Sequence, residues 1–312
     1  MTCSAILNGS VTRTRIRDPD SLRTRNPHRS VPHFLHFDSS PRGTNVEGNL
    51  RLGLKKRRRC VPRIACSLQL PLLPFNINEV LVPSERKTLH LYEARYLSLL
   101  DESLLRKKKL FVHFVLDPIA ISESSGEASF AARYGCLVLI ENVERLDVGA
   151  LVSIRGIGRI KILKFVQADP YIIGEVIPMQ DMIHGSLSKV SSKVMEVRDA
   201  IKSLNSLEIK LKAPNEALLQ THITNSLLWA EKEPSFECDE AFIPSADERV
   251  SFAALQPITG STQSELLKLR RQKLRAMDLK DTLQRLESSL EIVKENISMV
   301  AAKLAIQSLE MQ

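Results

Sequence analysis

Residues 68–105 read LQLPLLPFNINEVLVPSERKTLHLYEARYLSLLDESLL. The apolar run Leu70–Phe75 predicts a strand, and the Asn- and Pro-containing segment after it predicts a turn. A second short strand, Thr88–Tyr92, leads directly into a segment with helical periodicity. The apolar face of that helix consists of Tyr96, Leu97, Leu100 and Leu104. The stretch therefore predicts a strand–turn–strand–helix unit that packs on one core.

Residues 110–182 predict short strands separated by Gly and Pro. These predicted strands are Leu110–Asp117, Tyr134–Leu146 (a strand pair), Val152–Ile154, Ile160–Ile162 and Tyr171–Ile177. Ser122–Ala132 is predicted to be a surface loop, and turns are predicted at Asp147–Gly149 and Gly156–Gly158. Short strands at even spacing indicate a small antiparallel barrel or sandwich.

The chain changes to helical periodicity after residue 183. Helices are predicted at Ser186–Leu204, Asn215–Lys232, Ala246–Leu255 and Ser264–Ala276. The acidic segment 231–248 contains Pro234 and Pro244 and is predicted to be a loop. Its length is unusual for a compact domain, so it is either mobile or functional.

The last predicted helix carries a regular apolar seam. Its positions are Leu279, Leu283, Leu286, Leu290, Val293, Ile297, Val300 and Leu304, and a second row at Ile292, Met299 and Ile306 widens the face. Spacings that alternate between four and three residues indicate a heptad pattern. Three partners for this seam stay open: the rest of the chain, a second copy, or a different protein. The candidate residues for self-association are Leu283, Leu286, Leu290, Val293 and Ile297.

The positive charge of the chain is concentrated at its start. Residues 1–66 hold 14 Arg and Lys against four Asp and Glu, whereas the remaining 246 residues hold 30 against 32. This segment is rich in Arg, Ser, Thr and Pro, which is typical of a transit peptide. Ile64-Ala65-Cys66 resembles a plastid processing pattern. We therefore predict a chloroplast location after cleavage near Cys66, with a mitochondrial location or an uncleaved basic tail as alternatives.

Sequence motifs for catalysis and for metal binding are missing. No GxxxxGK[ST] phosphate loop, GxSxG elbow, HExxH motif or CxxC pair occurs in the sequence. Of the five cysteines, Cys136 and Cys238 lie after the predicted cleavage point, about 100 residues apart, a spacing that favours free thiols. No cofactor and no metal site is predicted. No apolar run reaches the roughly 18 residues of a membrane span, and no membrane contact is predicted.

Several blocks resemble the N-terminal domain of Lon proteases. The first three are LPLLPF (Leu70–Phe75), VLVP (Val80–Pro83) and LHLYEARY (Leu89–Tyr96), although Ser84-Glu85 stands where that family often has glycine. Further blocks follow, in order, at Gly135–Ile140, Val152–Ile162 and Pro170–Val176 and, in the closing helix, at Asp281–Leu286. The blocks look most like those of the short bacterial-type versions. We expect a stand-alone, plant plastid-type protein without the ATPase and Ser–Lys peptidase modules, since the residues before Gln312 leave no room for them.

The resemblance implies an α+β fold. A PUA-like β pseudo-barrel with one packed helix is expected, followed by a C-terminal α-helical bundle that ends in a long helix. The expected organisation is a disordered transit peptide at 1–66, the barrel at 67–182, the bundle at 183–277 and the long helix at 278–312.

The resemblance also implies a non-catalytic module that recognises unfolded or tagged polypeptides in plastid protein quality control. A plastid protease or chaperone is the expected partner, with the protein as its adaptor. Barrel and bundle would form an apolar groove at their junction, with Phe111, Phe165, Tyr171 and Trp229 as the candidate binding residues.

Two alternatives from other classes remain. PUA-like barrels in other proteins bind RNA, and Arg155, Arg159, Lys161 and Lys164 lie along one predicted hairpin. The slightly negative charge of residues 67–312 argues against nucleic acid as a partner. The other alternative is a scaffold that assembles through the long helix.

Overall fold

The structure is a computed structural model that describes residues 66–121, 128–181, 187–211 and 221–310. All of these residues belong to one compact unit. The predicted transit peptide lies outside the described residues, except for Cys66.

Six strands form the first half of the described chain. They are β1 (Leu68–Asn76), β2 (Arg86–Leu91), β3 (Leu110–Ile121), β4 (Ala128–Arg145), β5 (Ala150–Gln167) and β6 (Ile172–Pro178). Their order in the sheet is β2-β5-β4-β3-β1-β6, and β5 also pairs with β6, so that five strands close into a ring. The first half of β5 pairs with β2 and its second half with β6. The predicted barrel and the predicted α+β class are confirmed, although the barrel is not fully antiparallel, because β1 and β3 pair in parallel.

Two of the long strands run through predicted breaks. Residues 128–132, predicted to be part of a loop, belong to β4, and Gly156–Gly158 continues β5 instead of turning. Leu137 lies opposite Gly158 and Val138 opposite Gly156, so Ile157 is the extra residue of a β-bulge. Gly156 is needed because a Cβ there would lie 2.4 Å from the carbonyl oxygen of Val82. The Gly-x-Gly pattern therefore marks a close backbone approach.

Helix α1 (Ala94–Arg106) packs on the barrel and shares its first core. That core also receives side chains from the later helices, which ties the two halves together. Its members include Leu73, Leu81, Leu89, Leu99, Leu100, Val138, Ile154, Phe252 and Met277.

His113 on β3 is a buried polar side chain beside the first core. It is completely buried, and its ring stacks on Phe75 with 3.9 Å between ring centroids. Neither ring nitrogen has a hydrogen-bond partner among the described residues. Burial lowers the pKa of His113 well below its usual value, and the nearby positive charge of Lys87 lowers it further. The ring is therefore neutral in the folded protein.

A second core fills the other side of the strands, and the long acidic loop packs on it. Leu72, Phe114, Leu137 and Val176 contribute from the barrel. From the loop, Phe242 inserts with only 2% of its surface exposed. Segment 231–248 is thus a loop that packs against the barrel. Within it, Ser245 caps the start of the next helix.

Five α-helices follow the barrel in the part of the chain that the structure describes. They are α2 (Leu187–Leu211), α3 (His222–Glu231), α4 (Ala246–Ala253), α5 (Gln263–Asp278) and α6 (Thr282–Glu310). Each of the four helices predicted after residue 183 therefore has an observed counterpart. The start predicted for the second of them, Asn215–Lys232, falls among residues that the structure does not describe.

The seam of α6 packs inside the chain. Leu286, Leu290 and Val293 are buried in a bundle core with side chains of α2, α3 and α4, and Ile297 packs against the same core. Leu283 is half-buried. Of the three partners left open for the seam, the rest of the chain is the one observed. The long helix expected at 278–312 is thus part of the bundle core.

A buried ion network joins the barrel to the bundle. Arg159 of β5 contacts Glu248 of α4 at 2.8 Å and also Asp181, which follows β6. Arg285 of α6 contacts the other oxygen of Asp181. The four side chains are between 0 and 6% exposed. Two cations thus face two carboxylates, which is the balance that a buried set of charges requires.

Aromatic and backbone contacts complete this network. The guanidinium carbons of Arg159 and Arg285 lie 5.5 and 4.2 Å from the ring centroid of Phe252, so the ring lies near both cations. Arg159 donates to the carbonyl of Met277 at 3.2 Å, and Arg285 donates to that of Leu279 at 2.7 Å. Both arginines therefore hold the corner between α5 and α6 against the barrel.

The turn before β2 provides a second link. Ser84 is buried and has a φ of 69°, in the left-handed region that favours glycine. Its hydroxyl donates to the carbonyl of Arg249, and its own carbonyl accepts from Arg155 at 3.1 Å and from Ser226 at 2.9 Å. The carboxylate of Glu85, the next residue, pairs with Lys273 of α5. A serine at a position suited to glycine thus connects β5, α3 and α4.

The neutral state of His113 predicts acid sensitivity. Below its ordinary pKa near 6.5, the unfolded chain binds a proton that the folded chain does not, so stability falls as pH decreases. The expected slope is at most about 1.4 kcal/mol per pH unit, from pH 6.5 down to the lowered folded pKa. Urea unfolding at pH 7.5 and 5.5 measures it. His113→Phe keeps the stacked ring and removes the proton site, so its stability should change less between the two pH values. Equal changes in both proteins would contradict this assignment.

Removal of one network cation should destabilise the protein strongly. Arg159→Met leaves two buried carboxylates near one remaining cation, which is expected to cost roughly 3–5 kcal/mol of unfolding free energy. Lys164→Met, on the same strand, is the matched control because Lys164 is exposed and pairs with Glu175 at the surface. It should change stability little. Denaturant titration measures the unfolding free energy of both variants. Equal losses would show that burial of the network does not determine its contribution to stability.

Candidate functional site

Buried charged side chains fill the described part of the barrel–bundle junction. The network around Arg159 and Arg285 occupies it, and its side chains are almost fully buried. Lys273 and Glu85 add a further pair whose side chains are 9% and 11% exposed. Charged side chains and Phe252 thus fill this part of the junction, and an apolar groove elsewhere between barrel and bundle stays a prediction.

The four predicted aromatic residues do not form one surface. Phe111 is 1% exposed and belongs to the first core, so its prediction as a groove residue is wrong. Tyr171 packs against the same core and Phe165 against the second one. Trp229 of α3 is half-buried, with the guanidinium of Arg155 5.7 Å from its ring centroid. Packing explains each of the four.

The basic hairpin considered for RNA is largely buried or paired. Arg155 and Arg159 are 4% and 2% exposed. Arg155 pairs with Glu141 at 2.8 Å, and Lys164 pairs with Glu175 at 2.8 Å. These residues lie on one strand, β5, and not on the predicted hairpin. Since phosphate contacts need exposed and available cations, Arg155, Arg159 and Lys164 do not offer a basic face.

A small cleft opens where β1 and β2 pass each other without pairing. Phe75, Leu89, His90, Tyr92 and Tyr96 are among its lining residues, and Tyr92 is 45% exposed. The volume of the cleft is about 30 Å³, which suits roughly one water molecule. It is too small to take an apolar side chain of a polypeptide.

A larger groove lies between α5 and α6, which form an antiparallel helical hairpin. The cavity has a volume of about 440 Å³, within the range typical of ligand pockets. Its apolar lining residues are Pro257, Ile258, Leu266, Leu269 and Met299. Its polar and charged lining residues are Gln256, Ser261, Glu265, Lys268, Gln272, Glu295, Asn296 and Ser298. The groove therefore combines an apolar surface with a few polar groups.

Two ion pairs link the helices that flank the groove. Lys268 of α5 contacts Glu295 of α6 at 2.7 Å, and Lys303 of α6 contacts Glu265 of α5 at 3.5 Å. Glu265 also completes a capping box with Thr262 at the start of α5. Both the Thr262 backbone and Lys303 lower the pKa of the Glu265 carboxyl, although burial opposes them. Glu265 is therefore ionised at neutral pH.

Gln256 is the buried polar residue of this groove. It follows α4, is 4% exposed and has an amide nitrogen without a hydrogen-bond partner in the described part of the chain. The segment that carries it, Gln256–Ser261, turns through Gly260, which has a φ of 70°. Most buried amides are satisfied, so an unpartnered donor beside a cavity suggests a role in binding.

The sequence patterns did not identify this groove. Segment Gln256–Ser261 was only the gap between two predicted helices, and nothing local marks Gln256 as buried. One signal was present, since Met299 belongs to the second apolar row of the last helix. That row predicts a wider packing face, and Met299 both packs against the bundle core and lines the cavity.

The described residues offer little for catalysis. Burial raises the pKa of Cys136, and it raises that of Cys238 to about 11, so neither thiol is an ionised nucleophile near neutral pH. Within residues 66–310, as far as the structure describes them, no cluster of His, Cys, Asp and Glu is arranged to hold a metal ion. None of the described helices has the length and apolarity to cross a membrane.

Comparison with known proteins gives a family match and a number of similar solved structures, two of which are Lon N-terminal domains. A Lon N-terminal domain protein from Xanthomonas campestris is 20% identical over 71% of this chain and 96% of its own, with a TM-score of 0.36. The N-terminal domain of a Mycobacterium avium complex Lon protease is 11% identical over 73% and 98%, with a TM-score of 0.41. No curated protein matches the chain.

The family model describes the substrate-binding domain of ATP-dependent protease La (LON) and matches residues 69–305. That range includes β2 to β6, all of β1 except Leu68, and most of α6. The match confirms the family that was predicted from the sequence blocks between Leu70 and Leu286. This chain belongs to the LON substrate-binding domain family.

Proposed function

We infer that this protein is a non-catalytic module that recognises unfolded or tagged polypeptides. The observation that carries this proposal is its membership of a substrate-binding domain family over residues 69–305. The groove between α5 and α6 supports it, because a cavity of about 440 Å³ with an apolar lining accepts side chains that a folded protein hides. Burial of such side chains contributes about 25 cal/mol per Å² of apolar surface, reduced by the ordering of the bound segment.

The absence of catalysis is part of this proposal. The family match covers a substrate-binding domain, and the sequence has no phosphate loop or serine elbow. The thiols of buried Cys136 and half-buried Cys238 have raised pKa values, and His113 is neutral, buried and stacked on Phe75. These groups act through packing. Recognition without chemistry is therefore the function that the described residues support best.

We further propose that the protein works in plastids, as an adaptor between its clients and a protease or chaperone. The supporting observation is residues 1–66, which hold ten more basic than acidic side chains and end in Ile64-Ala65-Cys66. A module that binds polypeptides without cleaving them needs a second protein to act on them, which motivates the adaptor role.

The recognition proposal predicts selective binding to unfolded protein. The full chain is titrated into fluorescein-labelled α-lactalbumin that has been reduced and carbamidomethylated, and binding is followed by fluorescence anisotropy. Native lactalbumin with the same label is the control. About 0.3 M salt suppresses contacts made by the basic segment 1–66. We expect binding to the unfolded form alone, and equal binding to both forms, or to neither, would refute the proposal.

The plastid proposal predicts import. Residues 1–66 fused to a fluorescent protein should enter chloroplasts, because an Arg- and Ser-rich, acid-poor segment has transit-peptide composition. N-terminal sequencing of the imported protein should place the cut near Cys66. A fusion with the basic residues of 55–59 replaced by Gln tests the charge contribution. Accumulation in mitochondria or cytosol would contradict this location.

A further inference from the structure

A buried hydrogen-bond donor that lacks an acceptor lies beside the groove between α5 and α6. Gln256 lines the cavity, is 4% exposed, and its amide nitrogen has no partner among the described residues. A buried N–H group that loses its water and gains no acceptor destabilises the folded state. A ligand that brings an acceptor into the groove would remove that penalty. The group suited to this position is thus a carbonyl or a carboxylate oxygen.

The charges around the groove favour a neutral ligand. Glu265, Lys268 and Glu295 are the charged lining residues, and each already has an opposite charge within 4 Å. Lys303, the partner of Glu265, also donates to the carbonyl of Gly260 at 3.1 Å. An ionic ligand would have to compete with these pairs. A carbonyl oxygen therefore fits better than a carboxylate.

The rest of the lining is apolar and suits a hydrocarbon side chain. Ile258, Leu266, Leu269 and Met299 surround the cavity from three elements, and Met299 has the flexible thioether side chain found at adaptable binding surfaces. About 440 Å³ is room for one or two large side chains and not for a folded domain. An extended polypeptide supplies such side chains together with neutral carbonyl groups.

We propose that this groove binds an extended segment of an unfolded polypeptide, with an apolar side chain between Leu269 and Met299 and a main-chain carbonyl that accepts a hydrogen bond from Gln256. The proposal rests on the recognition function proposed above and assigns its site and chemistry. Every peptide carries main-chain carbonyls, and folded proteins use them internally. A donor directed at the main chain therefore selects unfolded segments without reading their sequence.

The test uses three variants of the full chain and the anisotropy assay with unfolded lactalbumin. Gln256→Met keeps an unbranched side chain and removes the donor. Ser298→Trp places a large ring at an exposed position on the groove. Ser308→Trp is its matched control, because Ser308 is also exposed on α6 and its hydroxyl likewise donates to a carbonyl within α6. Thermal unfolding accompanies each titration.

We expect Ser298→Trp to weaken binding about tenfold or more and Ser308→Trp to leave it unchanged. Gln256→Met should weaken binding about tenfold, as expected for one hydrogen bond to a desolvated group. Its Tm should equal or exceed that of the wild type, because the unsatisfied donor is gone. A purely structural role of Gln256 would instead lower the Tm.

Several results would overturn the proposal. Wild-type affinity in both Gln256→Met and Ser298→Trp would remove the groove as the site while leaving the recognition function intact. No binding by the wild type would refute both. A lower Tm in Gln256→Met would show that the amide has a partner within the fold. Concentration-dependent dimers that Ser298→Trp abolishes in sedimentation would assign the groove to a second copy.

Discussion

The contacts of Arg159 and Arg285 with Asp181 and Glu248 hold the two halves of this protein together. Breaking such a network leaves a charge without solvent or partner, which is costly. Burial raises the pKa of Glu248 and lowers that of Arg285, so desolvation opposes ionisation on both sides. The opposite charges and the nearby ring of Phe252 offset that cost. The network therefore specifies one arrangement of barrel and bundle.

The position of the groove follows from this arrangement. Arg159 holds the carbonyl of Met277 and Arg285 that of Leu279, so the corner between α5 and α6 is fixed to the barrel. The first turns of α5 lie far from that corner, and the Lys268–Glu295 and Lys303–Glu265 pairs link them to α6. Segment Gln256–Ser261 adds its side chains to the space left between the two helices. The cavity thus forms because α5 and α6 are fixed to the barrel at their shared corner and are linked only by long charged side chains at the other end.

How far the sequence predicts this structure depends on how local each signal is. Strand patterns around Leu70–Phe75 and the heptad seam of α6 are local, and both identified the correct elements. Gly156 and Gly158 predict a turn, because paired glycines are suited to a turn as well as to a β-bulge. The structure has a bulge at Ile157, and the close approach of Val82 to Gly156 explains why glycine is needed there. Ser84 gives no local sign of its left-handed backbone.

Charged residues were the least predictable part. Arg159 lies in a strand whose basic residues suggested an exposed face, yet its partners Asp181 and Glu248 are 22 and 89 residues away. Such a pairing exists only once the fold brings both carboxylates to β5. Gln256 is equally hard to predict. Its burial and its lack of a hydrogen-bond partner both depend on residues that are distant in the sequence.

A binding site of this kind couples stability to recognition. The network supplies rigidity at the corner of the hairpin, whereas the groove contains an unsatisfied donor and empty volume, both of which lower stability. Proteins accept such local costs where function requires them. A ligand that satisfies Gln256 and fills the cavity stabilises the folded state by mass action. Because the groove lies away from the Arg159 network, binding can proceed without opening the junction. The domain can therefore stay rigid as a whole while one pocket adapts to different polypeptide segments.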